Sequence, residues 1–243
     1  MTLTVVGLGP GDAGLLTPEA AAALAGATHL VGYGPYLDRV PLRADQTRHG
    51  SDNRMELDRA RHALSLAAAG EAVAVVSGGD PGVFAMASAV FEAVEAGPDA
   101  WRGLDVRVLP GVSAMFAAAA RLGAPLGHDF CAISLSDNLK PWELVLSRLR
   151  AVAEAGFVVA LFNPASRARP WQLGAALDAL RDVLPPDTPV AFATAVTRPD
   201  ERITVQALAE ADPGLADMRT LVLVGSAATR RVGRWLYTPR SAA

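Results

Sequence analysis

Thr2-Leu3-Thr4-Val5-Val6-Gly7-Leu8-Gly9-Pro10-Gly11-Asp12 opens the chain and decides how the rest is read. Thr2 to Val6 is short, β-branched and apolar, which predicts a parallel strand buried on both faces. Gly7 to Asp12 then forms a glycine-rich turn. Leu15-Leu16-Thr17-Pro18-Glu19 follows and leads into an alanine-rich run. Thr17 suits a helix N-cap and Pro18 the first helical turn, so a helix is predicted from Pro18 to about Ala25. Strand, glycine turn and helix make one βα unit.

The same pattern repeats along the chain. Strands are predicted at His29 to Gly32, Glu71 to Val76 and Val106 to Leu109, with Tyr33 to Gly50 loop-rich. Helical spacing runs from Asn53 to Ala69, and Val83 to Ala96 reads as a helix buried on most faces. The series then restarts. Helices are predicted at Ala114 to Leu122, Trp142 to Ala155, Gln172 to Leu184 and Thr204 to Ala211. Strands are predicted at Cys131 to Leu135, Phe157 to Phe162, Pro189 to Ala195 and, last, Leu221 to Val224. Alternating strands and helices imply mostly parallel sheets covered on both faces. The expected fold class is α/β, with two α/β domains at residues 1–112 and 113–243.

Composition agrees with a folded chain. Of 243 residues 51% are hydrophobic. Charged residues are 19%, against about a quarter in an ordinary globular protein. Such a chain has ample apolar surface to offset ordering entropy, which excludes disorder. The net charge is -3 and the pI near 5.8, so no basic field exists for nucleic acid. A single cysteine, Cys131, excludes an internal disulfide framework. His29, His49, His62 and His128 show no spacing that places two imidazoles on one helix face, so no metal is expected. No apolar run reaches the roughly 18 residues of a spanning helix, and no secretory leader is read at the start. A soluble, intracellular protein without a membrane partner is the expectation.

Three glycine-rich turns follow predicted strand ends: Gly7 to Asp12, Ser77 to Gly82 and Pro110 to Ser113. In open α/β sheets ligands bind outside the carboxyl ends of strands, and glycine lets backbone approach them closely. A dinucleotide fingerprint fails here. Asp12 stands where its third glycine would fall, and Leu30-Val31-Gly32-Tyr33 lacks the acidic residue of the second strand. No Walker lysine follows. A cofactor without phosphates fits better. Asp80, set between glycines and a proline at a strand end, can accept from a ligand ammonium or ribose hydroxyl. It can equally cap the next helix, and residue type alone favours capping. Asn163-Pro164 reads as a turn, and Cys131 as a small buried hydrophobe. No GxSxG elbow marks an acyl-transfer nucleophile. Arg48 to Arg61 and Arg230 to Arg234 read as solvated faces or as clamps for carboxylates.

Taken in order, the motifs resemble the tetrapyrrole methylases, S-adenosylmethionine-dependent enzymes of corrin and sirohaem synthesis. They are Gly7-Leu8-Gly9-Pro10-Gly11-Asp12, Gly79-Asp80-Pro81-Gly82 and Pro110-Gly111-Val112-Ser113-Ala114. A narrower likeness, to the members that methylate C17, rests on further stretches. These are Gly32 to Leu37, Ser77 to Ala87, Gly123 to Cys131, Ile133 to Asp137 and Phe162 to Ser166. Asp52-Asn53 replaces the Gly-Met pair expected before Arg54, which puts substrate contacts from that loop in question.

The resemblance implies two α/β domains with S-adenosylmethionine in the cleft between them, S-adenosylhomocysteine as product, and a cytoplasmic homodimer. It implies that Pro10, Gly78, Gly79, Asp80 and Val83 line the cofactor from the first domain, and Ser113 and Ala114 at the crossover. Phe162, Asn163, Ala195 and Val224 are implied from the second. With this added, a cofactor role for Asp80 overtakes simple capping. Arg54, His128 and Asp129 are hypothesised neighbours of the tetrapyrrole substrate. The implied reaction is methyl transfer to C17 with contraction of the macrocycle, on a metal-free substrate or on its cobalt-bearing counterpart. A nicotinamide-dependent oxidoreductase and a non-catalytic tetrapyrrole carrier are the rival readings.

Overall fold

The computed structural model describes residues 2–166 and 168–241. They form two units, which divide after Ala114. The first contains β1 (Thr2–Gly7), α1 (Pro18–Gly26), β2 (His29–Tyr33), α2 (Gly34–Leu37) and β3 (Thr47–Ser51). It continues with α3 (Glu56–Ala68), β4 (Val73–Ser77), α4 (Met86–Ala96), α5 (Asp99–Arg102) and β5 (Asp105–Leu109). Its strands form one sheet in the order β3-β2-β4-β1-β5, and every pair is parallel.

The strand pattern explains the layers. Side chains alternate across a strand, so each central strand supplies both faces. Leu3, Val5, Val73 and Val75 pack with Ala60, Leu64, Met86 and Val90 of α3 and α4. Val6, Ala74 and Val76 pack instead with Ala20 and Leu24 of α1. Thr17 caps α1, its Oγ1 accepting from Ala20 N at 3.1 Å.

Two readings of this unit change. The segment expected to be loop-rich contains α2 and most of the edge strand β3. Thr47-Arg48-His49-Gly50-Ser51 has no apolar side chain, so no periodicity announces it; pairing with β2 makes it a strand. α4 begins at Met86, because Pro81-Gly82 and a left-handed Phe84 (φ 51°) keep the preceding residues out of the helix. It is amphipathic, with Phe91 half-exposed.

The second unit follows α6 (Ala114–Leu122) with β6 (Gly123–Ala124), β7 (Phe130–Ser134), α7 (Trp142–Glu154), β8 (Val158–Phe162) and α8 (Gln172–Arg181). Then come β9 (Pro189–Thr194), β10 (Arg202–Ala207), β11 (Thr220–Val224), β12 (Arg230–Val232) and β13 (Trp235–Tyr237). Its main sheet has the order β10-β9-β11-β8-β7. Here the expectation of a mostly parallel sheet is corrected. Only β7 and β8 pair in parallel; β11 is antiparallel to β8 and β9, and β10 is antiparallel to β9.

Connection length is the physical reason. Parallel neighbours need a crossover of about a dozen residues, usually a helix. Seven residues without a helix, 195–201, join β9 to β10. The link from β10 to β11, residues 208–219 with two 3-10 turns, crosses to the other side of β9, so β11 keeps the direction of β10 and is likewise antiparallel to β9. The helix expected over Thr204 to Ala211 is therefore β10 and one such turn. Ile203-Thr204-Val205-Gln206 alternates with the period of a strand. Leu221 to Val224 is also not the last strand. β12, β13 and β6 make a small sheet of their own.

Candidate functional site

In the first unit, parallel pairing brings the ends of β1, β4 and β5 to one edge, with Gly7 opposite Ser77 and Val6 opposite Leu109. The loops that leave there pack backbone against backbone. A Cβ on Gly7 would lie 2.6 Å from Gly111 N, and one on Gly111 2.3 Å from Gly79 O. Only glycine fits such an approach. Gly9 and Gly79, both at positive φ, exchange hydrogen bonds: Gly9 N donates to Gly79 O at 3.2 Å, and Gly79 N to Gly9 O at 2.9 Å. Gly78 lies against the Tyr36 ring.

Asp80 ties two of these loops together. Its Oδ1 accepts from Gly82 N at 2.8 Å, and its Oδ2 accepts from Gly111 N at 3.0 Å. Arg39 holds the first turn from outside, Nη2 donating to Leu8 O and Gly9 O at 2.8 and 2.9 Å. Pro10 and Ser113 are buried in this rim, while Gly78, Gly79, Asp80, Val83 and Ala114 are half-buried. All of the first-unit residues implied for the cofactor therefore gather at one sheet edge.

The rim's donors show what it can hold. The N–H groups of Gly9, Gly79, Gly82 and Gly111 already donate inside the rim. A phosphate cradle needs such donors aimed at the ligand. The geometry is a shaped backbone surface with the Asp80 carboxylate inside it and Asp12 at the end of its first turn, which suits a cofactor that is cationic and lacks phosphate.

The second unit has its own edge, formed by the carboxyl ends of β7, β8 and β9. Asn163, at φ 53°, turns its Nδ2 back to donate to Ser134 Oγ at 3.0 Å. Arg169 Nη1 donates to Asn163 O at 3.2 Å. Ala195, buried and at φ 52°, donates through N to Arg219 O at 3.0 Å. Thr197 N donates to Glu201 Oε2 at 2.5 Å. Phe162, Asn163 and Ala195 thus share this edge.

Val224 does not. It pairs with Val159 and Val190, the beginnings of β8 and β9, and its side chain is fully buried in the core. The antiparallel course of β11 carries it to the opposite edge. His128 and Asp129, 3.8 Å apart, also lie there, because Asp129 O accepts from Val158 N at the start of β8. Arg54 is exposed in the first unit, in the loop after β3. Cys131 is half-buried against the core, and burial pushes its thiol pKa up, as expected of a packing residue. No metal-binding cluster of three or more His, Cys, Asp or Glu exists among the described residues.

Backbone strain marks the same edges. Among the described residues five non-glycine residues have positive φ: Arg54, Phe84, Asn163, Ala195 and Thr197. Each lies in a loop leaving the carboxyl end of a strand: β3, β4, β8 and, for the last two, β9. Each such conformation costs roughly 1 kcal/mol or more and persists where surroundings impose it. Reading the sequence missed Arg39 and Ser134, whose roles depend on which backbone passes beside them; no local pattern signals either.

Residues 2–212 match the family of tetrapyrrole (corrin/porphyrin) methylases. A precorrin-3B C(17)-methyltransferase of a Sinorhizobium species is 62% identical, over 98% of this chain and 96% of its own. A probable cobalt-factor III C(17)-methyltransferase of Salmonella typhimurium is 39% identical, over 98% of each chain. The crystal structure of the methyltransferase CobJ matches at TM-score 0.95 and 58% identity, covering 98% of this chain and 99% of that one. A uroporphyrin-III C-methyltransferase of Thermus thermophilus, solved with S-adenosylhomocysteine, shares the fold at TM-score 0.69 and 22% identity, covering 93% of this chain and 98% of that one. With a match that runs from β1 through β10 and takes in the whole glycine rim, the chain belongs to the tetrapyrrole methylases.

Proposed function

We propose that the chain is an S-adenosylmethionine-dependent methyltransferase that acts on C17 of precorrin-3B, with ring contraction to precorrin-4, in cobalamin biosynthesis. The observation that carries this is the glycine rim, in which the N–H groups of Gly9, Gly79, Gly82 and Gly111 are engaged internally, in a chain 62% identical to an enzyme named for that reaction. The lower identity to a relative named for the cobalt-bearing factor favours the metal-free substrate.

Pro10, Gly78, Gly79, Asp80, Val83, Ser113 and Ala114 would hold the cofactor from the first unit, and Phe162, Asn163 and Ala195 from the second. Val224 is left out of this set because its side chain is buried at the other sheet edge. S-adenosylmethionine supplies an electrophilic methyl group on a sulfonium. The residues of the chain then have a positioning task, for which fixed geometry contributes several kcal/mol of the roughly 7–11 available from orientation. The glycine contacts and the Asp80 brace keep the rim from relaxing, so the methyl-bearing centre is held in one place. Half-buried Gly79 leaves open space where a side chain would project, with Ala114 N 3.9 Å away. Arg54, His128 and Asp129 stay as proposed substrate neighbours. Homodimerisation and a cytoplasmic site of action complete the reading. Phe116 and Phe130, partly exposed and edge-to-face at 6.2 Å, offer apolar surface to a second copy.

Transfer of labelled methyl tests the reading directly. Label is expected on precorrin-3B, with little on the cobalt-bearing factor. Tight NADPH binding without S-adenosylhomocysteine binding would overturn it in favour of an oxidoreductase. Tetrapyrrole binding without label transfer would overturn it in favour of a carrier.

A further inference from the structure

Between the edge strand β3 and α3 lies a cavity of about 380 Å³ that the assigned cofactor residues do not touch. Arg59 lines it and is only 5% exposed. Its Nε donates to Ser51 Oγ at 2.9 Å, its Nη2 to Asp52 O at 2.7 Å, and its Nη1 to the weak acceptor Met86 Sδ at 3.3 Å. No carboxylate lies within ion-pair distance of it among the described residues; Glu56 acts on it only at longer range. A guanidinium has five N–H donors, so this one keeps capacity for another acceptor. A buried cation without a counter-charge is costly, and burial pulls its pKa below the usual value.

The other walls carry the same sign. Arg48 also lines the cavity, bonds only to carbonyls through Nη1 and Nη2, and leaves a buried Nε without a partner. His49 presents a buried Nε2 with no partner. The single carboxylate on the wall, Asp58, is paired to Arg61 at 3.1 Å. Two guanidiniums thus face one engaged carboxylate. Met55 and Val31 add apolar wall, which suits a hydrocarbon stem better than a free phosphate. Ser51 ends β3 opposite Tyr33, at the sheet edge that also carries the glycine rim.

We propose that this cavity is a carboxylate subsite that takes an acid side chain of the tetrapyrrole substrate, with Arg59 as its principal ligand. Arginine meets a carboxylate with two parallel N–H donors, the geometry that makes such pairs strong. The proposal rests on the methyltransferase reading, since that reading supplies the polycarboxylate.

The test measures binding of uroporphyrin I, an octacarboxylate, by fluorescence on the full chain, with S-adenosylhomocysteine titrated in parallel. Arg59→Gln and Met55→Glu should each weaken uroporphyrin binding roughly tenfold or more and leave S-adenosylhomocysteine unchanged. Leu57→Glu adds the same charge to α3 outside the cavity and should leave both unchanged. Met55 is 41% exposed, so its variant folds and carries the test if Arg59→Gln does not. Competition by propionate that Met55→Glu reduces supports the subsite. Competition by inorganic phosphate alone overturns it in favour of a free-anion site. Equal weakening by Leu57→Glu, or unchanged binding in Met55→Glu, also overturns it. Normal methyl transfer with an unchanged KM in Met55→Glu sinks the subsite and spares the reaction; absent methyl transfer with Arg59-dependent uroporphyrin binding does the reverse.

Discussion

The two main sheets have five strands each, yet they deliver loops differently. In the first, every strand runs the same way, so every connection after a strand leaves at one edge. Pro10, Asp80 and Ser113, 33 or more residues apart in sequence, meet there. In the second, β10 and β11 run against the others. Phe162, Asn163 and Ala195 meet at one edge, while Val224, His128 and Asp129 sit at the other. Strand direction, more than strand existence, decides which residues can share a ligand. Substitutions at the two edges can break that comparison.

The largest effect belongs to the glycine rim. Gly111→Ala places a Cβ 2.3 Å from Gly79 O, a backbone atom that cannot swing away. Urea unfolding should show a loss of about 3 kcal/mol or more, with S-adenosylhomocysteine binding lost. Gly156→Ala in the second unit meets nothing within 4 Å but keeps φ at 81°, so only backbone strain of about 1 kcal/mol is expected. Equal losses would mean that close packing does not distinguish the rim.

Val224→Ala tests the placement of β11. It deletes buried core volume and should cost about 2 kcal/mol. Its distance from the other edge predicts unchanged S-adenosylhomocysteine affinity once unfolding is allowed for. Asp80→Ala is expected to behave in the opposite way. It removes the side-chain acceptors of two backbone N–H groups, at about 1–2 kcal/mol of stability, and should weaken S-adenosylhomocysteine by tenfold or more. Calorimetric titration of both variants decides whether the β11 end belongs to the cofactor site.

How much of this could be read from residues follows the same division. Thr2 to Val6 and Glu71 to Val76 are buried on both faces, so their apolar runs are visible, and each is followed by its own glycine turn. The cofactor edge of the first unit was legible for that reason. β3 was not, because an edge strand made of Thr, Arg, His, Gly and Ser owes its state to β2 alone. β10 was misread because its alternation is short and Ala207-Leu208-Ala209 favours a helix. Val224 has the same apolar signature as the end of a parallel strand. Only the short link before β10 reveals a reversal; β11 keeps the direction of β10 after crossing to the other side of β9, and no local pattern announces that crossing. Arg59 lies in the stretch Arg48 to Arg61, read as a solvated face or a carboxylate clamp; the residues alone do not separate the two, because a buried arginine on an amphipathic helix looks like a solvated one until the sheet is placed beneath it.

The smallest predicted effect compares the histidines of the two units. In the first, His29 of β2, His49 of β3 and His62 of α3 face one another, with ring centroids 5.3 Å and 4.6 Å apart along the series. In the second, His128 faces Asp129 at 3.8 Å. Burial, then the charges of His62 and His29, lower the pKa of His49 from 6.5. Glu71 lies 3.5 Å from His29, and Arg48 and Asp58 line the same cavity wall as His49. The folded chain therefore resists a proton that the unfolded chain accepts. Below about pH 6.5 the unfolded state binds more protons, so the His49 contribution to stability is intact above that pH and declines as pH falls toward the folded value. The urea midpoint should drop between pH 7.5 and pH 5.5. His49→Gln should flatten that drop, and His128→Gln, which leaves the imidazoles of the first unit in place, serves as the control. If His49→Gln keeps the full decline, the stacked imidazoles do not set the acid limit of the first unit.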